Sequence, residues 1–589
     1  MRQVLLAAAV CMAVVSISPA LASGKSNEHK NPTFTKYAPW KSQGKLGSVY
    51  VNPYENAPLT AIIDLGGNHI KNVHVTVPGK GENGISISYP VSDNSVVEHN
   101  GIPVFGLYSS YTNNVQVTYE MGGKEINETY KIVTGAIDFK TQDLMVRPVP
   151  EVDIVKSSQK LKNNLYLINA LSAEPNSNEI IWARSGAAQY NSRPMNFIVD
   201  TQGEIRWYMN QDNFSNYDSR SLDQRGNIMG IKQVDDGDLI FGQGLRYYRM
   251  DLLGNLKDNK RLPRGFIDYS HDTVEMPNGH ILLRVGKRNY KRKDGKVINS
   301  IRDHIIEVDQ KGNLVEAWDL PTILDPRRDD LLRALDQGAV CIEVDTSKQG
   351  KTEEIEINAP FMDIPGVEVG RNWAHVNAIE YDAKDDSLIL SVRHQGVVKI
   401  GRDKQVKWIL GTPAGWKGEL ATKVLKPVDA KGKLLECSDS GCEDTDFDWP
   451  WMQHAANLTS KGTLAVFDNG DARGLEQPAM KTDKYSRGVE YKIDEKNMTV
   501  QQVWEYGKER GFDWYAPVTS NIRYFPNTDS MMIFGASTGI FDKSKKAIEA
   551  TFTEVDYKTK DILLEMKVKM TAKKNMPYRA EKIDPNIAF

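Results

Sequence analysis

The sequence predicts an all-β protein, a six-bladed β-propeller preceded by an antiparallel β-sandwich. Three observations carry that reading. A hairpin pattern recurs six times beyond about residue 160, and a short apolar strand recurs between the hairpins. The segment from 30 to about 145 alternates apolar and polar residues without joining the repeat.

Each hairpin runs from one alternating strand through an Asp, Gly or Lys turn into another, often closed by Trp. The copies are 197–207 (FIVDTQGEIRW), 250–256 (MDLLGNL), 308–318 (VDQKGNLVEAW), 400–408 (IGRDKQVKW), 493–504 (IDEKNMTVQQVW) and 555–564 (VDYKTKDILL). Between them a polar turn leads into a wholly apolar strand, as in 236–241 (DGDLIF), 278–283 (NGHILL), 386–390 (DSLIL), 461–466 (KGTLAV) and 529–533 (DSMMI). An apolar middle strand beside an amphipathic outer hairpin is what a propeller blade requires, and six hairpins give six blades. A β-helix would repeat at shorter, more even intervals, and a sandwich would not repeat. The earlier segments 72–77 (NVHVTV) and 114–119 (NVQVTY) lie between Gly, Asn and Pro turns. They predict a sandwich over 23–145, linked near 146–150 to a propeller over 146–589.

The N-terminus reads as a signal peptide over 1–22. Arg2 supplies a positive start, residues 4–15 (VLLAAAVCMAVV) are unbroken apolar, and Ala20-Leu21-Ala22 fits cleavage before Ser23. That run is too short to span a bilayer, and no later segment is long enough, so no membrane association is expected. With 589 residues, 40% hydrophobic, 26% charged and a net charge of −3, the chain has room for at least two domains and no basic surface for nucleic acid. Of four cysteines, Cys11 leaves with the signal. Cys437 and Cys442 flank a short polar turn, the spacing of a disulfide in an oxidising compartment. A metal-binding pair is the competing reading, although no second Cys/His pair stands nearby. Cys341 is then a free thiol.

Aligning the repeats on their middle strands places three histidines in one slot. His271 stands ten residues before Ile281, and His454 ten before Leu464. His375 stands thirteen before Leu388, behind a turn three residues longer. The slot falls on the innermost strand, so three histidines from different blades converge near the axis. Met229 and Val518 occupy it elsewhere, so the fold does not itself demand histidine there. Arg393 reaches the same funnel, and Asn377 shares the face of His375. Three imidazoles suit zinc, but a guanidinium aimed at the same point opposes a dication. A tetrahedral oxyanion suits the set better, with Arg, His and Asn as donors and one neutral His as nucleophile.

The motifs Ser270-His271-Asp272, Asn372-Trp-Ala-His375-Val-Asn377, Ser391-Val-Arg393-His394 and Trp449-Pro-Trp-Met-Gln-His454 resemble the bacterial PAPS-independent arylsulfate sulfotransferase family over nearly the whole chain. The resemblance implies transfer of a sulfuryl group from a phenolic sulfate donor to a phenolic acceptor, with neither PAPS nor metal and no cofactor. It implies His454 as nucleophile through a sulfohistidine, with His271, His375, Asn377 and Arg393 holding the sulfuryl oxygens. A protonated His271 or His375 would give its proton to the departing phenolate. The family is periplasmic and homodimeric, and a dedicated thiol-disulfide oxidase installs its disulfide. Trp373, Trp451 and Tyr515 are candidates for the aryl ring, with blade packing as the competing role. Two other functional classes remain open on residues alone: a metal-dependent propeller hydrolase of phosphatase or lactonase type, and a non-catalytic binding propeller.

Overall fold

The computed structural model describes residues 43–140, 146–147, 149–172, 195–211, 213, 227–335, 346–348, 351, 366–443, 445–480, 484–540, 548–570 and 575–589. The signal-peptide and Cys341 expectations fall outside them. The protein is all-β, with helices of seven residues or fewer among the described residues. No described helix is long and apolar enough to cross a membrane.

The N-terminal unit has two sheets. One pairs Val49–Val51, Thr60–Asp64 and Gly101–Phe105; the other pairs Ile87–Val91, Lys71–Val77, Thr112–Met121 and Lys124–Val133 in that order. Strand Thr112–Met121 alternates exposed and buried residues, so one face is solvated and the other joins the core.

Beyond it the described residues form six successive sheets, each built on four antiparallel strands. All six sequence-derived hairpins are present as the third and fourth strands of these sheets, and the apolar segments are the second strands. The turns explain the recurring Asp and Gly. Asp309 accepts from the backbone amides of Lys311 and Asn313, both at 2.8 Å, and Gly312 follows at φ 86°. Asp200 and Asp251 repeat that turn. A side chain thus closes the turn, and glycine supplies the left-handed backbone.

The recurring Trp has a separate cause. Trp207 donates its indole N–H to the carbonyl of Leu252 at 2.8 Å, and Trp318 donates to Gly401 at 3.2 Å. Trp408 reaches the Glu495 carboxylate at 3.0 Å, and Trp504 the carbonyl of Tyr557 at 2.8 Å. Each acceptor sits in the hairpin turn of the next sheet, so the outer strand of one unit is pinned to its successor. The first unit takes its innermost strand, Asn575–Ile583, from the end of the chain, paired with Leu165–Ser172. Buried Arg206 joins the two parts of the chain, donating to the carbonyls of Ile85 and Gly106 and stacking 3.7 Å from the Tyr108 ring.

Candidate active site

The three histidines stand at the starts of innermost strands. His454 opens His454–Leu458, His375 precedes Val376–Asp382, and His271 lies just before Thr273–Glu275. Register shifts near these starts, between His454 and Asn457 and between Val376 and Ala378, re-aim the side chains. His271 and His375 hold left-handed backbone at φ 72° and 48°. The result is one cluster. The ring centres of His271 and His375 are 5.0 Å apart, those of His375 and His454 6.3 Å, and His394 stands 5.4 Å from His375. All four are buried.

Neighbours grip each ring at Nδ1. Arg284 donates to Nδ1 of His271 at 2.5 Å, with the Ser270 hydroxyl on the same atom. The Asn372 amide meets Nδ1 of His375 at 2.9 Å, and the Asn469 amide oxygen meets Nδ1 of His454 at 2.7 Å. The Nε2 atoms of His375 and His454 are buried and have no hydrogen-bond partner among the described residues. Burial first, then Arg284, pushes His271 well below the ordinary imidazole value; burial and the other histidines do the same to His375. Burial and Arg393 push His454 down. Desolvation among guanidinium groups thus biases all three towards the neutral form.

Arg393 is at the cluster, and its fork is engaged. One nitrogen donates to Asp471 at 2.6 Å and to the carbonyl of Pro517 at 3.2 Å; the other donates to the carbonyl of Met452 at 2.8 Å. Burial raises the Asp471 carboxyl to about 6 against the pull of Arg393. Asn377 clamps the backbone on either side of His454, donating to the carbonyl of Gln453 at 2.7 Å and accepting from the amide of Ala455 at 3.3 Å. The three aromatic candidates are all buried, with their polar groups on protein. Trp373 donates to Asp303, Trp451 to Asp448 and Tyr515 to Asp471. Tyr578, which sequence reasoning passed over, stands edge-on 5.7 Å from the His271 ring.

Sequence reasoning also missed Asn469 and Asp471. Both follow the apolar strand Leu464–Asp468, where the run Asp468-Asn469-Gly470-Asp471 abruptly turns polar while staying buried. That switch from apolar to polar was the available signal. Gly470 has φ 86°, and a Cβ there would lie 2.0 Å from the carbonyl oxygen of Tyr485. The tight turn sends Asn469 to His454 and Asp471 to Arg393. Among the described residues, the groups whose ligand atoms lie close enough to share a metal ion are Glu98/His99/Asp251 and Asp382/Asp385/Glu495. The clustered histidines are not one of them. Cys437 and Cys442 are joined by a disulfide across a two-stranded turn.

Residues 151–579 match the family described as Arylsulfotransferase (ASST), and residues 48–135 match its Arylsulfotransferase Ig-like domain. Arylsulfate sulfotransferase AssT of Escherichia coli O6:H1 strain CFT073 is 47% identical over 569 residues, covering 94% of this chain and 95% of its own. The Lelliottia amnigena protein of the same name is 46% identical over the same shares. Among solved structures, the Neurospora crassa Pan2 WD40 domain aligns with 73% of this chain and 88% of its own at 11% identity. Its TM-score is 0.30, too distant a likeness to speak for the site. The matches over both parts of the chain and the 46–47% identity to these relatives show that it belongs to the arylsulfotransferase family.

Proposed function

We propose that this site moves a sulfuryl group from a phenolic sulfate ester to a phenol in two half-reactions, through a sulfohistidine on His454. Family membership supports sulfuryl transfer between aryl groups. The observation that carries the finer reading is the pair of buried, unpartnered Nε2 atoms on His454 and His375 within one imidazole cluster. Buried polar atoms are rarely left unpaired, and two such atoms on rings whose centres are 6.3 Å apart fit a polar reactant.

In the first half-reaction the Nε2 lone pair of His454 forms a bond to sulfur. The ester S–O bond breaks, and its electron pair leaves on the phenolate oxygen. The entering sulfate ester is an anion among guanidinium groups, so it favours protonation of His375, whose Nδ1 faces an amide that can accept, rather than of His271, whose Nδ1 faces the Arg284 donor. His375 then protonates the phenolate. In the second half-reaction the acceptor phenol returns that proton to the imidazole as its oxygen bonds to sulfur, and the N–S pair goes back to His454. By analogy with phosphoryl transfer, positioning and charge stabilisation supply most of the rate. His271, His375, Asn377 and Arg393 surround the sulfuryl oxygens in this proposal. Asn377 also holds the backbone of His454, and Arg393 shares its donors between Asp471 and the substrate.

The wider proposal is a periplasmic homodimer whose six sheets are the blades of one ring over 146–589, after a signal peptide over 1–22 and a sandwich over 23–145. A periplasmic thiol-disulfide oxidase supplies the Cys437–Cys442 bond, and no metal or other cofactor takes part. The test is turnover of 4-nitrophenyl sulfate with and without added phenol, before and after EDTA. We expect phenol-dependent release of 4-nitrophenol, parallel double-reciprocal lines and no effect of chelation. Intersecting lines would contradict the covalent route. Loss of activity on chelation, restored by one metal, would point to a metal-dependent hydrolase.

A further inference from the structure

We infer that Asn469 is a positioning residue that fixes the His454 tautomer, holding hydrogen on Nδ1 so that Nε2 presents its lone pair to the centre. The inference rests on the reading of His454 as nucleophile and adds the group that arms it.

The argument turns on which way the Asn469 amide faces. Its nitrogen donates to the carbonyl of Ala516 at 2.7 Å and to that of Thr519 at 3.2 Å. A flipped amide would set its oxygen against both carbonyls, so the oxygen must be the end facing His454. An amide oxygen only accepts, and it lies 2.7 Å from Nδ1 of His454. Nδ1 therefore carries the hydrogen. A neutral imidazole has one such hydrogen, which leaves Nε2 with a lone pair, buried and unpartnered. Arg393 lies 3.5 Å from the same Nδ1 through a nitrogen that also donates to Met452 at 2.8 Å, and its contact with the ring is 0.8 Å longer than that of Asn469. The shorter Asn469 contact decides the tautomer.

The other two rings face different neighbours. Arg284 can only donate, so Nδ1 of His271 accepts and its hydrogen is on Nε2. Asn372 faces Nδ1 of His375 at 2.9 Å with an amide whose other end has no bond among the described residues, so it can turn either end to the ring and leaves His375 free to take either tautomer. His454 thus carries its lone pair on Nε2 in a cluster where His271 carries hydrogen on Nε2, the asymmetry that a nucleophile beside an oxyanion donor requires. The site is rigid where this matters. Asn469 is fully buried, and its own carbonyl accepts from the Ser486 hydroxyl at 2.7 Å.

The test is two-bond 1H–15N correlation NMR of the full-length protein labelled with 15N-histidine, the His454 signal being identified by its loss in His454→Asn. We expect the Nδ1–H tautomer for His454 in the wild type. Asn469→Ala should convert it to a mixture and lower kcat on the order of a hundredfold, as a mis-set catalytic tautomer does, while KM for 4-nitrophenyl sulfate changes little. Asn469→Asp keeps an acceptor toward Nδ1 while setting an oxygen against the carbonyls of Ala516 and Thr519, so where it folds it should restore the tautomer at a cost in stability. A wild-type His454 with hydrogen on Nε2 overturns the inference, even if no variant folds. So does an Asn469→Ala protein that keeps both tautomer and rate. If the Nδ1–H tautomer is present but donor leaves no adduct on His454, the nucleophile reading fails while the tautomer lock stands.

Discussion

Burial and the Arg393 guanidinium hold His454 neutral where an exposed imidazole would begin to charge. A lowered pKa extends the neutral, nucleophilic form toward acid, so its 15N shifts should stay those of a neutral ring from about pH 8 to about pH 5.5. A protonation midpoint near the ordinary value would show that the ring is not desolvated. Arg393 bonds Asp471 and two backbone carbonyls through separate nitrogens, a geometry that a single ammonium cannot copy. Arg393→Lys should therefore lower kcat/KM by roughly tenfold or more with the fold intact, and near-wild-type turnover would place the side chain outside the reaction. All five polar site residues read from the repeat do converge. What the sequence did not disclose is how each is held. Asn377 lies two residues past His375, yet its amide serves the backbone around His454, a contact between strands that no local spacing encodes.

At the scale of the element, the repeat was legible because its chemistry is local. The Asp that closes each turn and the Gly that follows it lie within a few residues of one another. The Trp was visible as a pattern, but its purpose was not, since its acceptor lies in the next unit. Trp318, fully buried, tests that purpose. Trp318→Phe removes the bond to Gly401 and keeps most of the packing, so it should cost about 1 kcal/mol in denaturant unfolding. Trp318→Ala should cost about 3–5 kcal/mol through the cavity it leaves. Equal costs for both would mean that volume alone matters at this position.

At the scale of the whole molecule, the chain's end completes its beginning. Strand Asn575–Ile583 is the innermost strand of the first sheet and carries Tyr578 and Arg579. Arg579 donates to Asp272 at 3.1 Å and to the carbonyl of Asn377, tying the closing strand to two histidine-bearing units. This pairing spans about four hundred residues, so no window of sequence could show it. Removing residues 575–589 should abolish cooperative unfolding and activity together, whereas a truncated chain with an unchanged melting transition would show that the first sheet stands without it. The central claim is that the converging units deliver one nucleophile, His454. Its most direct test is mass analysis after donor alone is mixed with the enzyme, the digest being kept neutral or alkaline to preserve an acid-labile N–S bond. The account predicts a gain on the order of 80 Da, one SO₃ group, on the peptide containing His454 and none in His454→Asn. An unshifted peptide in an active wild-type enzyme, or an adduct that persists in His454→Asn, would contradict it.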